Sequence, residues 1–502
     1  MDLAKRIGDI LSLDPDANAI EFEGEWRSWG YLREIVDCID SLLSDAGLEK
    51  DAPIGVMLRN RPQHIGALLA IIATRRCLVT LNPSRPAAEL SAELLELKLP
   101  AIIADAEDWA RPELTAAMKE LGSLALTLHG DETKSVSVDY KPSEKLNSNQ
   151  FHAPMPDIAV EMLTSGTTGA PKRIPLPYKN LESSIDATSH YEKGAAGALA
   201  LKTRATIHWA TLVHISGIWT IIKTITDGRP ICLLERFNVD TWCAALDCHQ
   251  PKMVGLPPAA MKMVIDAQVP PEKLQGLRAV RSGTAPLDPA LGKQFEDIYG
   301  VPVLVVYGAT EFAGAVTGWT LKLHQEWITS KRGSVGRAHP GIEMRIVDQE
   351  SKRELPCDEV GLLEVRAPQL GGMAKDGWVR TNDLARIDED DFLWIEGRAD
   401  DAINRGGFKI FPKDVYAVLI AHPSVGEACV VGVADARLGQ IPVAAVELKE
   451  NAAAVSEKEL ADFCRSKLTG YQCPVKIRIV DALPRTPSLK VRQADIVAMF
   501  RQ

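Results

Sequence analysis

Short β-rich apolar runs alternate with amphipathic or wholly apolar stretches along most of the chain. Residues 54–58, 78–81, 101–104, Ile158–Leu163, 207–210, 231–234, Met253–Gly255, 279–281 and 303–306 read as strands. Residues 64–74 read as a buried helix and 288–299 as an amphipathic one. Strand–helix alternation at this spacing predicts an α/β fold with largely parallel sheets. Ligands on such folds bind at the carboxyl ends of the strands. Near Gly397 the texture changes. A helix over 412–421 with Pro412 in its first turn, strands at 427–433 and 443–448, a helix Glu457–Lys467 and a strand at 477–480 describe a small α+β unit. The expected organisation is therefore a large N-terminal multi-sheet α/β domain, 1–398, followed by a small C-terminal α+β domain, 399–502. Residues 143–156, polar and proline-containing, read as a loop. The first 150 residues support the fold and single out nothing further.

The 46% hydrophobic content supplies a large core, and the net charge of -10 comes from 57 basic and 67 acidic residues spread along the chain. No basic block stands out, which argues against nucleic acid as a partner. The longest apolar run, 66–73, is too short to span a bilayer. The N-terminus turns acidic soon after a short apolar stretch and lacks the pattern of a secretory signal. Nine scattered cysteines without a CxxC pair argue against a disulfide framework and a structural zinc site, and suit a cytoplasmic protein.

One segment carries strong chemistry. Thr164-Ser165-Gly166-Thr167-Thr168-Gly169-Ala170-Pro171-Lys172 follows a predicted strand. Gly166 and Gly169 let backbone amides approach an anion. Ser165, Thr167 and Thr168 add hydroxyls and Lys172 adds positive charge, so the turn can hold a polyphosphate. Ala170 and Pro171 between the last glycine and the lysine distinguish it from a Walker A loop. A Gly/Thr loop in isolation is usually a polar surface turn; the order of these nine residues argues otherwise.

That order resembles the superfamily of adenylate-forming enzymes, in its acyl-CoA synthetase branch, whose phosphate loop reads Ser/Thr-Ser-Gly-Ser/Thr-Thr-Gly-x-Pro-Lys. Further motifs follow in the family's order over essentially all 502 residues. The resemblance implies that Gly283, Thr284 and Ala285 line the adenine and acyl pockets. In Tyr307-Gly308-Ala309-Thr310-Glu311, it implies that the tyrosine stacks on adenine, the threonine meets the α-phosphate and Glu311 holds Mg²⁺, a role that suits a hard carboxylate. Asp383 would accept hydrogen bonds from both ribose hydroxyls, Arg398 would lie near the ribose and α-phosphate, and Asp400 would be the hinge of a mobile C-terminal domain. In Pro484-Arg485-Thr486-Pro487-Ser488-Leu489-Lys490, Lys490 resembles the family's catalytic lysine, with Leu489 where the family has glycine. Arg405, Gly406 and Gly407 resemble the loop that serves thioester formation. Val213-His214-Ile215-Ser216-Gly217 resembles an acyl-pocket segment, with Val213 replacing the usual phenylalanine. Trp209, Gly308 and Val316 would complete that pocket. Taken singly, each of these residues has an ordinary structural reading; it is their joint order along the chain that matches the family.

The resemblance implies an ATP-dependent carboxylate–CoA ligase using ATP, Mg²⁺ and coenzyme A on a small carboxylic acid. Lys490, Lys172, Thr310 and Glu311 would do the chemistry. The pocket residues suit an apolar aryl, alicyclic or medium-chain acid. The alternative is a stand-alone adenylation enzyme that loads a carrier protein in trans. Monomer and homodimer are both open.

Overall fold

The computed structural model describes residues 1–130, 135–141, 150–163, 172–189, 199–370, 376–449, 452–486 and 489–501. The chain packs as two units. The first is built from Met1–Thr164, Pro171–Glu343 and Arg366–Gly377, and the second takes in Met344–Val365 and Trp378–Gln502.

The largest sheet of the first unit runs in the order Val136–Tyr140, Leu124–Leu128, Ala101–Asp105, Pro53–Met57, Cys77–Leu81, Ile158–Leu163, Arg173–Pro177. Its five inner strands are parallel and its two edges antiparallel. Parallel strands are covered on both faces, and accordingly Pro53–Met57, Cys77–Leu81, Ala101–Asp105 and Leu124–Leu128 are buried at every position. The helix Pro62–Ala73 is buried from Pro62 through Ile72, as its all-round apolar sequence requires. Gly66 lets the helix Trp29–Asp45 approach: a Cβ there would stand 2.8 Å from Ile35 Cδ1. The neighbouring Arg76 is only 2% exposed. Its guanidinium donates to Asp40 at 2.6 Å, Ser44 at 3.0 Å and the Leu48 carbonyl at 2.7 Å, which satisfies a charge that burial would otherwise penalise.

A second sheet orders Met253–Gly255, Ala279–Ser282, Val303–Ala309, Gly314–Gly318 and Arg337–Ala338. Its first three strands are parallel and its last two antiparallel. A third orders Thr206–His208, Ile231–Leu233, Asn18–Phe22 and Glu25–Ser28.

The second unit contains a sheet ordered Glu343–Val347, Gly361–Arg366, Val379–Ile387 and Leu393–Arg398, its last three strands antiparallel. It also contains a sheet ordered Phe408–Ile410, Ile403–Arg405, Gly439–Leu448, Val425–Asp435, with Lys476–Val480 parallel to Gly439–Leu448. The helices Pro412–Ile420 and Glu457–Lys467 cover that sheet. Ser456 and Glu459 form a capping box at the start of the latter. The packing division thus falls at residue 343, with 366–377 returning to the first unit. The strands before residue 398 pack with the C-terminal fold, earlier in sequence than the change of texture at Gly397.

Candidate active site

Two parallel strands of the first unit end side by side, with Ser282 in register with Val305. Past the first end, Gly283 sits where a Cβ would come within 2.8 Å of Val306 Cγ2, and Thr284 takes a left-handed φ of 68°. The second strand runs on past Val305 through a bulge at Tyr307 and Gly308 and then enters a 3-10 turn, Thr310–Phe312. The chain returns antiparallel over Gly314–Gly318. Gly308 is required by space: a Cβ would stand 2.2 Å from the Gly314 carbonyl oxygen. The Tyr307 ring meets Phe312 edge-on, with centroids 6.3 Å apart. Thr310 and Glu311 are half-buried at this strand end. A partly shielded carboxylate beside a hydroxyl is a suitable oxygen donor set for a hard divalent cation.

The helix Ile215–Thr226 starts at His214, whose backbone is its N-cap. Gly217 packs onto the preceding turn, where a Cβ would lie 2.2 Å from the Thr211 carbonyl oxygen. Val213 and Val316 are buried and His214 is half-buried. Trp209 donates to the Gly255 carbonyl at 3.3 Å and packs on Phe237, centroids 4.8 Å apart. Sequence reasoning did not single out Trp219, whose indole donates to Ser184 Oγ at 3.0 Å beside Gly314, against the turn after Glu311. Nor did it single out His339. That residue's backbone amide donates to the Val316 carbonyl at 3.0 Å, and burial together with the Arg281 charge pushes its imidazole down to about 4. Apolar surroundings leave no mark on a lone histidine in the sequence.

Thr164, Ser165, Gly166, Thr167, Thr168, Gly169, Ala170 and Pro171 lie outside the described residues. Their flanks are described. Leu163 pairs with Arg173 across antiparallel strands. Arg173 is anchored to Glu93 at 2.5 Å, and Lys172 next to it is exposed.

In the second unit, Asp383 and Arg398 are register partners on adjacent strands. The Arg398 guanidinium donates to both oxygens of Asp400, at 2.9 and 3.0 Å. Asn382 also donates to Asp400, at 3.3 Å. The bidentate bond to Asp400, with the charges of Asp383 and Asp401, holds Arg398 more firmly protonated than usual. Ile403–Arg405 and Phe408–Ile410 form a tight hairpin in which Arg405 pairs with Phe408. Gly406 and Gly407 make its two-residue turn with φ of 57° and 90°, the sign of dihedral that primed hairpin turns demand. Arg405 donates to the carbonyls of Tyr471 at 2.7 Å and Gly470 at 3.3 Å.

Lys490 is half-buried, and burial lowers its ammonium pKa. Its turn is tied by Thr486 N to Lys490 O at 2.8 Å, Lys490 N to Thr486 Oγ1 at 3.2 Å and Leu489 N to Thr486 O at 2.8 Å. Leu489 takes a φ of 64°, the left-handed conformation for which glycine is the usual choice.

The family model described as AMP-binding enzyme matches residues 11–373, and that of the AMP-binding enzyme C-terminal domain matches 414–490. The chain belongs to the AMP-binding enzyme family. This is the adenylate-forming group that its motifs resemble. Among AMP-binding enzymes it is similar to a probable CoA ligase of Humulus lupulus, 28% identical over 97% of this chain and 94% of that one. A 2-succinylbenzoate–CoA ligase of Bacillus cereus is 28% identical over 96% of each chain. An oxalate–CoA ligase of Arabidopsis thaliana is 27% identical over 99% of this chain and 98% of its own. The fold is shared with ATP-bound MatB from Rhodopseudomonas palustris, TM-score 0.82 at 24% identity, covering 100% of this chain and 99% of that one. It is also shared with o-succinylbenzoate CoA synthetase from Bacillus subtilis in complex with its acyl-adenylate, TM-score 0.75 at 23% identity, covering 98% and 97%. No helix among the described residues is long and apolar enough to cross a membrane.

Proposed function

We propose that this AMP-binding enzyme is an ATP-dependent carboxylate–CoA ligase acting on an apolar aryl, alicyclic or medium-chain acid. The observation that supports it most is the near-full-length match to relatives named CoA ligases, at 96–99% of this chain. The residues its chemistry needs stand at the matched motifs.

A carboxylate is a poor electrophile because its leaving group would be oxide. In the first step a carboxylate oxygen of the acid attacks the α-phosphorus of ATP. The bond to the β-phosphate oxygen breaks, pyrophosphate leaves and an acyl-adenylate forms. In the second, the thiolate of coenzyme A attacks the acyl carbonyl carbon, and AMP departs with the electrons of the broken C–O bond. The first step brings anion against anion. Lys490, Lys172 and Arg398 supply positive charge for it, and the hydroxyls of 164–168 hold the outer phosphates. Glu311 would hold magnesium, which supplies further neutralisation of the polyphosphate when bound. Tyr307 stacks on the adenine, Asp383 fixes the ribose, and the backbone at Gly283 approaches the flat ring. Gly406 and Gly407 border the path of the thiol arm. The C-terminal domain, turning at Asp400, exchanges the Lys490 turn for the Gly406–Gly407 turn between the steps.

The test is AMP and pyrophosphate release with Mg-ATP across aryl, alicyclic, straight-chain and dicarboxylic acids, each with and without coenzyme A. CoA-dependent AMP release with one acid class supports the ligase and names its substrate class. Pyrophosphate exchange with every acid inert to coenzyme A would turn the reading to a carrier-protein acceptor, against which the names of the full-length relatives weigh. No turnover with any acid would overturn it.

A further inference from the structure

In the third sheet of the first unit, Glu21 and Cys232 are register partners on adjacent parallel strands, Asn18–Phe22 and Ile231–Leu233, so their side chains leave the sheet on the same face. His249 closes the last turn of the helix Val239–His249 and comes down onto that pair. Its Nε2 is in direct contact with Glu21 Oε2. One potential ligand atom from each of Glu21, Cys232 and His249 lies within 4.8 Å of the other two. Cys232 is 4% exposed, and the His249 and Glu21 side chains are 8% and 17% exposed. Two of these atoms, Glu21 Oε2 and His249 Nε2, are buried without a properly aligned hydrogen bond. Trp26, the register partner of Glu21 on the other side, meets the His249 ring edge-on with centroids 6.0 Å apart and walls the cluster.

A buried carboxylate, thiol and imidazole whose electron pairs converge make a liability unless something positive shares them. We propose that Glu21, Cys232 and His249 bind a zinc ion, with the fourth position left to water. The ligand set selects the metal. Magnesium and calcium take oxygen ligands, whereas one sulfur, one nitrogen and one oxygen match zinc. Zinc–ligand bonds of about 2.0–2.3 Å place tetrahedral ligand atoms roughly 3.3–3.8 Å apart. The cluster reaches that spacing when Glu21 and His249 part to admit the ion between them. Binding deprotonates the thiol: the Cys232 S–H proton goes to solvent, the sulfur's electron pair goes to zinc, and His249 binds as the neutral ring. The ion would pin the hairpin Asn18–Ser28 and the end of the helix Val239–His249 to the strand Ile231–Leu233, tying Glu21 to residues more than two hundred positions later in the chain. This site shares no residue with the proposed ligase machinery, so it stands or falls separately from that reading.

The test is metal analysis of the full-length protein purified without chelator and dialysed, followed by titration of the stripped protein with cobalt(II). One zinc per chain, a thiolate-to-cobalt charge-transfer band that zinc abolishes, and a melting temperature raised by zinc but not by magnesium are expected. Cys232→Ser should lose the band and His249→Gln should lose the stoichiometric ion. Cys248→Ser should keep the ion. The wild-type titration needs no variant to fold. No retained zinc together with no thiolate–cobalt band would mean that Glu21 and His249 form an ion pair only, and would overturn the proposal. So would a band of equal strength in folded Cys232→Ser.

Discussion

Leu489 occupies a left-handed position beside Lys490, the lysine proposed to serve adenylation. For a leucine that conformation costs about 1–2 kcal/mol. Replacing it with glycine removes the strain but adds about 0.4–1 kcal/mol of unfolded-state entropy and loses a half-buried side chain. The terms nearly cancel, so Leu489→Gly should leave the melting temperature almost unchanged. Leu489→Val crowds the same φ with a branched Cβ and should lower both stability and the rate of pyrophosphate exchange. Thermal melts and exchange assays on the pair check this; a valine variant as active and stable as wild type would remove strain from the account. Lys490 itself should be charged for the first step. Since burial sets its pKa below that of an ordinary lysine, it loses its proton earlier as pH rises. The alkaline limb of the adenylation profile should therefore move upward in Lys490→Arg, because the guanidinium stays protonated, and Lys490→Ala should lose pyrophosphate exchange while still forming thioester from supplied acyl-adenylate. The position of Lys490 at the end of its motif could be read from the sequence, because its register survives the leucine, and the C-terminal family match runs to that residue. That the leucine keeps the glycine's backbone could not, since a dihedral angle is fixed by the hydrogen bonds from Thr486 rather than by residue type.

At the scale of elements, two turns depend on glycine for different reasons. Gly308 is limited by space, so Gly308→Ala drives a methyl into the Gly314 carbonyl and should displace Tyr307 and Glu311. At least about 2 kcal/mol of stability and most adenylation should go with it, measured by denaturant melts and exchange rates. Gly407 has open space around it and is limited by φ alone. Gly407→Ala should cost about 1–2 kcal/mol of local strain and slow thioester formation more than adenylation; equal slowing of both steps would count against a role for that turn in the second. Parallel strands such as Cys77–Leu81 were easy to read because both faces are buried and the run is continuously apolar. The sheet of Gly361–Arg366, Val379–Ile387 and Leu393–Arg398 was not. Val379–Ile387 and Leu393–Arg398 carry charges on half-exposed positions, and the buried run of Gly361–Arg366 is interrupted by Glu364, which draws in Arg345 and Arg380. Likewise, cysteine spacing along the chain cannot register that sheet pairing sets Glu21 beside Cys232, with His249 reaching them from the end of a helix.

For the whole molecule, acid stability follows from buried imidazoles. His208 is buried and donates from Nε2 to the Ala210 carbonyl at 2.8 Å, which fixes the neutral tautomer. Burial lowers its pKa from 6.5 to about 4. The unfolded chain binds that proton more readily, so the stabilisation is complete above pH 6.5 and is lost as pH falls toward 4. The loss amounts to about 3 kcal/mol for this one group. Urea melts between these limits should show stability dropping with pH, and His208→Gln should flatten that slope.

Arg398 and Asp400 carry a further consequence for motion. The residue expected to be the pivot is also the one whose carboxylate grips the arginine two positions before it. A backbone rotation at a pivot swings its own side chain, so turning the domain and unlatching the guanidinium become a single mechanical event. The enzyme would then sense its own conformational cycle through the charge it offers the nucleotide, presenting Arg398 in one orientation and withholding it in the other. Asp400→Asn weakens the grip without altering the backbone. It should tighten ATP binding in equilibrium titrations and make that binding more dependent on salt, because the arginine then offers phosphate a charge that no carboxylate offsets.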